Sequence, residues 1–104
     1  MKLEELEEIL ILFDYYKKLL SDKQVKYIEE YFEKDYSLSE IAQNYGVSRQ
    51  AVSDNINRSV KILKKYELKL GFLKRDNILK ENLSEAIRTN DFELVKKTIQ
   101  LLET

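Results

Sequence analysis

Arg49, Gln50, Ser53, Asn57, Arg58, Lys61, Lys64 and Lys65 recur at helical spacing within one short stretch of the chain. Their side chains suit one chemistry above others, the recognition of nucleic acid. Arginine, glutamine, asparagine and serine carry donors and acceptors that match base edges in a major groove. Lysine is a mobile point charge suited to phosphate. Arg49, Gln50, Ser53, Asn57 and Arg58 are therefore expected at bases, and Lys61, Lys64 and Lys65 at phosphates. Asp54 interrupts the set. It would repel a phosphate, but it can accept from a cytosine amine or meet a protein group instead.

Other chemistries lack their residues. There is no cysteine and no histidine, which removes disulfides, thiolate and imidazole metal ligands and the commonest general base. No glycine-rich phosphate loop or G-x-S-x-G elbow is present. The acidic pairs Glu4-Glu5, Glu7-Glu8 and Glu29-Glu30 are adjacent in sequence, so on a helix they diverge by about 100° and read as solvated surface. No catalytic residue, cofactor or metal is expected.

The elements that position the polar face are all helices. With 104 residues, no proline and only two glycines, Gly46 and Gly71, the chain lacks the turn residues a small sheet protein needs. It reads as one all-α domain. Leu3, Leu6, Ile9, Leu10, Phe13 and Tyr16 give one apolar face to a first helix over about 3–20. Ser21 with Gln24 has the form of a capping box for a second helix, whose Val25, Ile28 and Phe32 share a face with Tyr31 at its edge. Ser37 with Glu40 opens a third, Leu38 to Tyr45, with Ile41 and Ala42 inward. Gly46-Val47-Ser48 breaks the pattern: Gly46 supplies a positive φ, Val47 plugs the core and Ser48 caps the next helix. That fourth helix carries Val52, Ile56, Ser59, Ile62, Leu63, Tyr66, Leu70 and Leu73 on one stripe, with Gly71 bending or ending it. Two further helices are expected, over about Asn77 to Arg88 with Ile78, Leu79, Leu83 and Ile87 inward, and after an Asn90 cap with Phe92, Val95, Ile99 and Leu102. Tyr15, Tyr27 and Tyr36 fall off the stripes, and partial burial is expected for them.

A short capped helix, a three-residue turn with glycine first and a long second helix make a helix-turn-helix. Its core spans about 21–66, with a C-terminal helical extension over about 74–103. The charge supports this placement. The whole chain is at −1, residues 1–35 hold six basic and ten acidic groups, residues 36–66 hold five and two, and residues 67–104 hold seven of each. Positive charge thus concentrates at the motif in a chain that is not basic overall. The opening residues show no secretory signal, and the longest apolar run, Ile9 to Phe13, is too short to span a bilayer, which fits a cytoplasmic protein without membrane insertion.

The block from Leu20 to Arg58, LSDKQVKYIEEYFEKDYSLSEIAQNYGVSRQAVSDNINR, and within it GVSRQAVSDNI at Gly46 to Ile56, resembles the YlxM family of small bacterial proteins, whose helix-turn-helix is similar to region 4 of sigma factors. The length and the acidic, leucine-rich opening agree. Nine positions after the turn glycine, where region 4 commonly has an apolar residue, this chain has Asn55, followed by Ile56. The resemblance implies a winged-helix-free, sigma-like core, a regulatory role and a link to the signal recognition particle pathway, and no enzymatic activity.

Three functions follow as expectations. The first is a regulator binding DNA or the particle's RNA through the fourth helix. The second is a non-catalytic adaptor that touches that RNA or the particle's GTPases, with the acidic first helix meeting a basic protein. The third is a dimeric scaffold. Leu68 and Phe72 lie off the main stripe and need covering, by the C-terminal helices or by a second copy of the chain. A long helix with apolar groups on two sides favours the second, so a homodimer is expected.

Overall fold

The computed structural model describes residues 2–103, and every regular element among them is helical. The chain folds as two compact units, one ending at Leu70 and one beginning at Gly71.

The first unit is built around α4, Arg49–Leu70, on which α1 (Leu3–Tyr16), α2 (Asp22–Ile28) and α3 (Leu38–Tyr45) pack. Its core comprises Ile9, Leu12, Phe13, Tyr16, Leu20, Tyr27, Ile28, Phe32, Ile41, Ala42, Val52, Ile56, Ser59 and Leu63. The expected stripes hold over their central residues, Ile9, Phe13 and Tyr16 of α1 and Val52, Ile56, Ser59 and Leu63 of α4, whereas Leu3 and Leu70 are exposed, Leu12 joins the core and Leu73 belongs to the following helix. Ser59 sits in the α4 stripe as a fully buried small residue, its Oγ donating to the Asn55 carbonyl at 2.8 Å. The hydroxyl is satisfied within its own helix, so it enters the core without an unpaired donor. The departure at Asn55 has a simple outcome: Ile56, one position on, is the buried residue, and Asn55 is half-buried beside Ser59.

Local chemistry fixes the boundaries. Ser21 and Gln24 form a reciprocal capping box, with Ser21 N–H donating to Gln24 Oε1 at 2.9 Å and Gln24 N–H donating to Ser21 Oγ at 3.2 Å. Ser37 and Glu40 do the same at 3.1 and 3.0 Å. Gly46, at φ 66°, terminates α3 in the left-handed region, where a Cβ is disfavoured.

Several expectations need correction. The first helix ends at Tyr16 and tightens into a 3₁₀ turn, Lys17–Leu19. The second widens after Ile28 into a π turn, Glu29–Glu33, with the Lys34 N–H donating five residues back to the Glu29 carbonyl. Asp35 then turns the chain at φ 57°. Tyr27, expected to be partly buried, is 1% exposed. The ring of Tyr45 at the end of α3 covers it edge-on at 5.0 Å, a contact no single-helix pattern contains. Tyr15 and Tyr36 are exposed, and Val47 is half-buried in its turn.

The second unit is a hairpin of α5 (Phe72–Thr89) and α6 (Phe92–Leu101). Helix α5 starts immediately after Gly71, at φ 65°, five residues earlier than its expected start at Asn77. Leu68 and Phe72 therefore belong to different helices. Asn90 does not cap α6; it ends α5 in the left-handed region at φ 54°, and Asp91 caps α6 by accepting from the Leu94 N–H at 3.0 Å. The buried residues of the hairpin are Ala86 and Thr98, whereas Ile87 is 79% exposed. Small side chains let two helices approach closely, and Thr98 Oγ1 spends its proton on the Leu94 carbonyl at 2.7 Å.

Candidate nucleic-acid interface

The order of events that builds the interface is local. The Ser37–Glu40 box starts α3, Gly46 stops it, and Ser48 restarts the chain by accepting the Ala51 N–H on its Oγ at 3.0 Å. Helix α4 thus begins at Arg49, and burial of Val52, Ile56, Ser59 and Leu63 forces the opposite face of the same helix outward.

All eight expected site residues lie on α4. Arg49, Gln50, Asn57, Arg58, Lys61, Lys64 and Lys65 are exposed, and Ser53 is half-buried. They do not form one cluster. Ser53, Asn57, Lys61 and Lys64 line a common open cleft of about 390 Å³. Arg58 and Lys65 lie on the far flank of the helix, more than a quarter-turn around from Ser53 and Lys64 at about 100° per residue. Gln50 is engaged within the helix, its Nε2 donating to Asp54 Oδ1 at 2.9 Å.

Among the described residues, none of Arg49, Arg58, Lys61, Lys64 and Lys65 forms an ion pair, in contrast to Arg75 with Asp76, Arg88 with Glu85 and Lys96 with Glu93 in the second unit. These five cations are held by no carboxylate. They present charge to solvent, and an incoming polyanion displaces no internal partner to reach them.

The cleft contains residues that helical spacing could not assign. Its floor is Ile9 of α1, Tyr31 and Phe32 of the π turn, Leu38 of α3, and Ile56 and Val60 of α4. Tyr31 is half-buried, with its ring edge-to-face to Phe32 at 5.0 Å between centroids. The only hint in the sequence is the place of Tyr31 at the edge of the second apolar stripe. A second cleft shares Tyr31 and Phe32 and runs on to Leu6, Asp35, Tyr36 and Ser37.

On another side of the unit, Tyr45 faces Glu30 near Lys26, Glu29 and Lys34. Loss of solvent and then the adjacent Glu30 carboxylate push the Tyr45 hydroxyl above its ordinary value, so it keeps its proton well into alkaline solution. The Tyr27 hydroxyl and one Glu30 oxygen are buried there without a protein partner among the described residues. Among the described residues no group of three or more acidic side chains is arranged to hold a metal ion. None of the described helices is long and apolar enough to cross a membrane.

Comparison with known proteins places this geometry in a family. The family model described as "Putative helix-turn-helix protein, YlxM / p13 like" (UPF0122) matches residues 3–103. The UPF0122 protein of Streptococcus gordonii strain Challis is 51% identical over 85 residues, covering 78% of this chain and 77% of its own length. That of Streptococcus pneumoniae strain Hungary19A-6 is 48% identical over 87 residues, covering 84% and 78%.

Proposed function

The chain belongs to the UPF0122 family of YlxM / p13-like helix-turn-helix proteins, and on that premise we propose that it is a non-catalytic regulatory protein that binds nucleic acid through α4. One observation carries the reading: five basic side chains along α4, with Asp54 as the one acid among them, form no ion pair with any carboxylate, in a chain whose net charge is −1. A phosphate backbone supplies complementary charge to all five at once. Arg49, Gln50, Ser53, Asn57 and Arg58 are the candidates for base contact. Lys61, Lys64 and Lys65 are the phosphate anchors. The cytoplasm is where such a target would be met.

The test is a titration of the full chain with duplex DNA and with a structured RNA over a range of salt. Replacing Lys61, Lys64 and Lys65 together by alanine should weaken binding to every sequence and lower the salt slope by up to about three. The reading is lost if neither nucleic acid binds at low salt, or if the triple variant binds as the wild type does.

A second reading rests on Glu4, Glu5, Glu7 and Glu8, all exposed on α1. An adaptor of the signal recognition particle would present them to a basic surface on the particle's GTPases. Charge reversal at those four positions should abolish such binding and leave nucleic-acid binding intact. Either function is compatible with a homodimer. Leu68 of α4 is 89% exposed, an isolated apolar group that a second copy would cover. Sedimentation of the wild type and of Leu68→Glu should show a dimer that the substitution dissociates.

A further inference from the structure

We infer that the cleft beside α4 receives one unpaired nucleobase, so that the protein reads an extrahelical or looped-out nucleotide rather than an uninterrupted duplex alone. The inference rests on the nucleic-acid reading above and names the feature of the target which that surface selects.

The cleft has a divided character. Its floor is apolar and partly aromatic, with Tyr31 the accessible ring. Its rim on α4 carries Ser53, Asn57, Lys61 and Lys64. The Asn57 carboxamide and the Ser53 hydroxyl have no side-chain hydrogen-bond partner among the described residues, and the two lysines have no ion pair. An aromatic surface takes the face of a base, a carboxamide pairs with its donor–acceptor edge, and ammonium groups take the phosphates on either side. Those three requirements converge in a volume of about 390 Å³, within the range of small-molecule sites, about 300–1,000 Å³.

Charge gives the cleft a direction. The α4 rim carries Lys61 and Lys64 and no acid, while the adjoining cleft beyond Tyr31 holds Asp35. A nucleotide would therefore place its phosphates over the lysines and its base inward toward Tyr31. The same polarity disfavours an acidic peptide helix, which would have to run its charge past Asp35 as well. A wholly apolar ligand would leave the Asn57 and Ser53 side chains unpaired at its edge.

The experiment compares pairs of targets that differ only by one bulged 2-aminopurine, in duplex DNA and in an RNA hairpin, each against its fully paired counterpart. The full chain should bind the bulged member about tenfold more tightly, and the emission of the 2-aminopurine should change on binding. Tyr31→Leu keeps an apolar side chain and removes the stacking face. It should erase the preference and the emission change while leaving affinity for the fully paired target unaltered. Tyr31→Phe should restore both. Asn57→Ala, at an exposed position, should lower the preference by about tenfold without affecting the fold. The DNA and RNA arms decide which polymer supplies the base. Equal binding of bulged and paired targets, or a preference that survives Tyr31→Leu, overturns the inference and leaves the phosphate reading standing. Absence of binding to any of the four targets overturns both.

Discussion

Gln50 and Asp54 are joined across one turn of α4, with Gln50 Nε2 donating to Asp54 Oδ1 at 2.9 Å. Both side chains are exposed, and both belong to the face that carries the unpaired cations. The carboxylate therefore does two things at once. It holds the glutamine amide, and it sets one negative charge among five positive ones. Asp54→Ala should release Gln50 and strengthen binding to duplex DNA by several-fold at low salt, with the gain fading as salt rises. Gln50→Ala should change discrimination between sequences more than overall affinity. Fluorescence anisotropy with two unrelated duplexes checks both, and a fall in affinity for Asp54→Ala would mean that the carboxylate itself contacts the target.

The caps of the motif should be individually measurable. Ser37 accepts the Glu40 N–H and the Glu40 side chain returns a bond to the Ser37 N–H. Ser37→Ala should cost about 1 kcal/mol in urea denaturation. Gly46→Val should cost more, because the backbone at φ 66° disfavours a β-branched side chain even though nothing lies within 4 Å of the added Cβ. The penalty is conformational, so Gly46→Asn should recover part of it.

The first unit should be sensitive at the residues α4 buries. Leu63 is 0% exposed, and Leu63→Ala should destabilise by about 2–5 kcal/mol, through lost transfer energy and the cavity left behind. Ser59→Leu should also destabilise, by about 1–3 kcal/mol, because the fully buried serine leaves no room for a larger chain. Thermal and urea unfolding of each variant gives the comparison.

Alkaline pH should loosen the packing around α2 and α3. The Tyr45 hydroxyl titrates above the ordinary tyrosine value, for loss of solvent and then for the charge of Glu30. The folded state therefore holds this proton more tightly than the unfolded chain does. The stability it contributes is fully present below pH ~10 and declines as pH rises through the higher folded value. Tyr45→Phe should flatten that alkaline limb in a series of denaturation curves, and an unchanged limb would assign the effect to other groups.

Most features of the first unit whose cause lies within about four residues follow from local chemistry; the exceptions are the 3₁₀ and π turns that end its first two helices. In the second unit the start of α5 after Gly71 and the Asp91 cap of α6 depart from the expected Asn77 and Asn90. Both capping boxes, the Gly46 turn and the Ser48 cap that starts α4 follow from side-chain reach along one helix, and all are present. The central residues of the α1 and α4 stripes follow from helical period alone, down to the buried Ser59. The outward face of α4 was legible for the same reason: once Val52, Ile56 and Leu63 point in, Asn57, Lys61 and Lys64 must point out. Packing between helices sets what depends on a second element. Tyr27 is core because Tyr45 covers it from α3. Ala86 rather than Ile87 is buried because α6 approaches the side of α5 where small groups allow contact. The cleft itself is built from α1, the π turn, α3 and α4 together. The π turn contributes most to that gap, since a widened turn displaces Tyr31 and Phe32 from the places a regular helix would give them. Helical period locates a side chain on its own helix, and only the packing of neighbouring helices determines what lies opposite it.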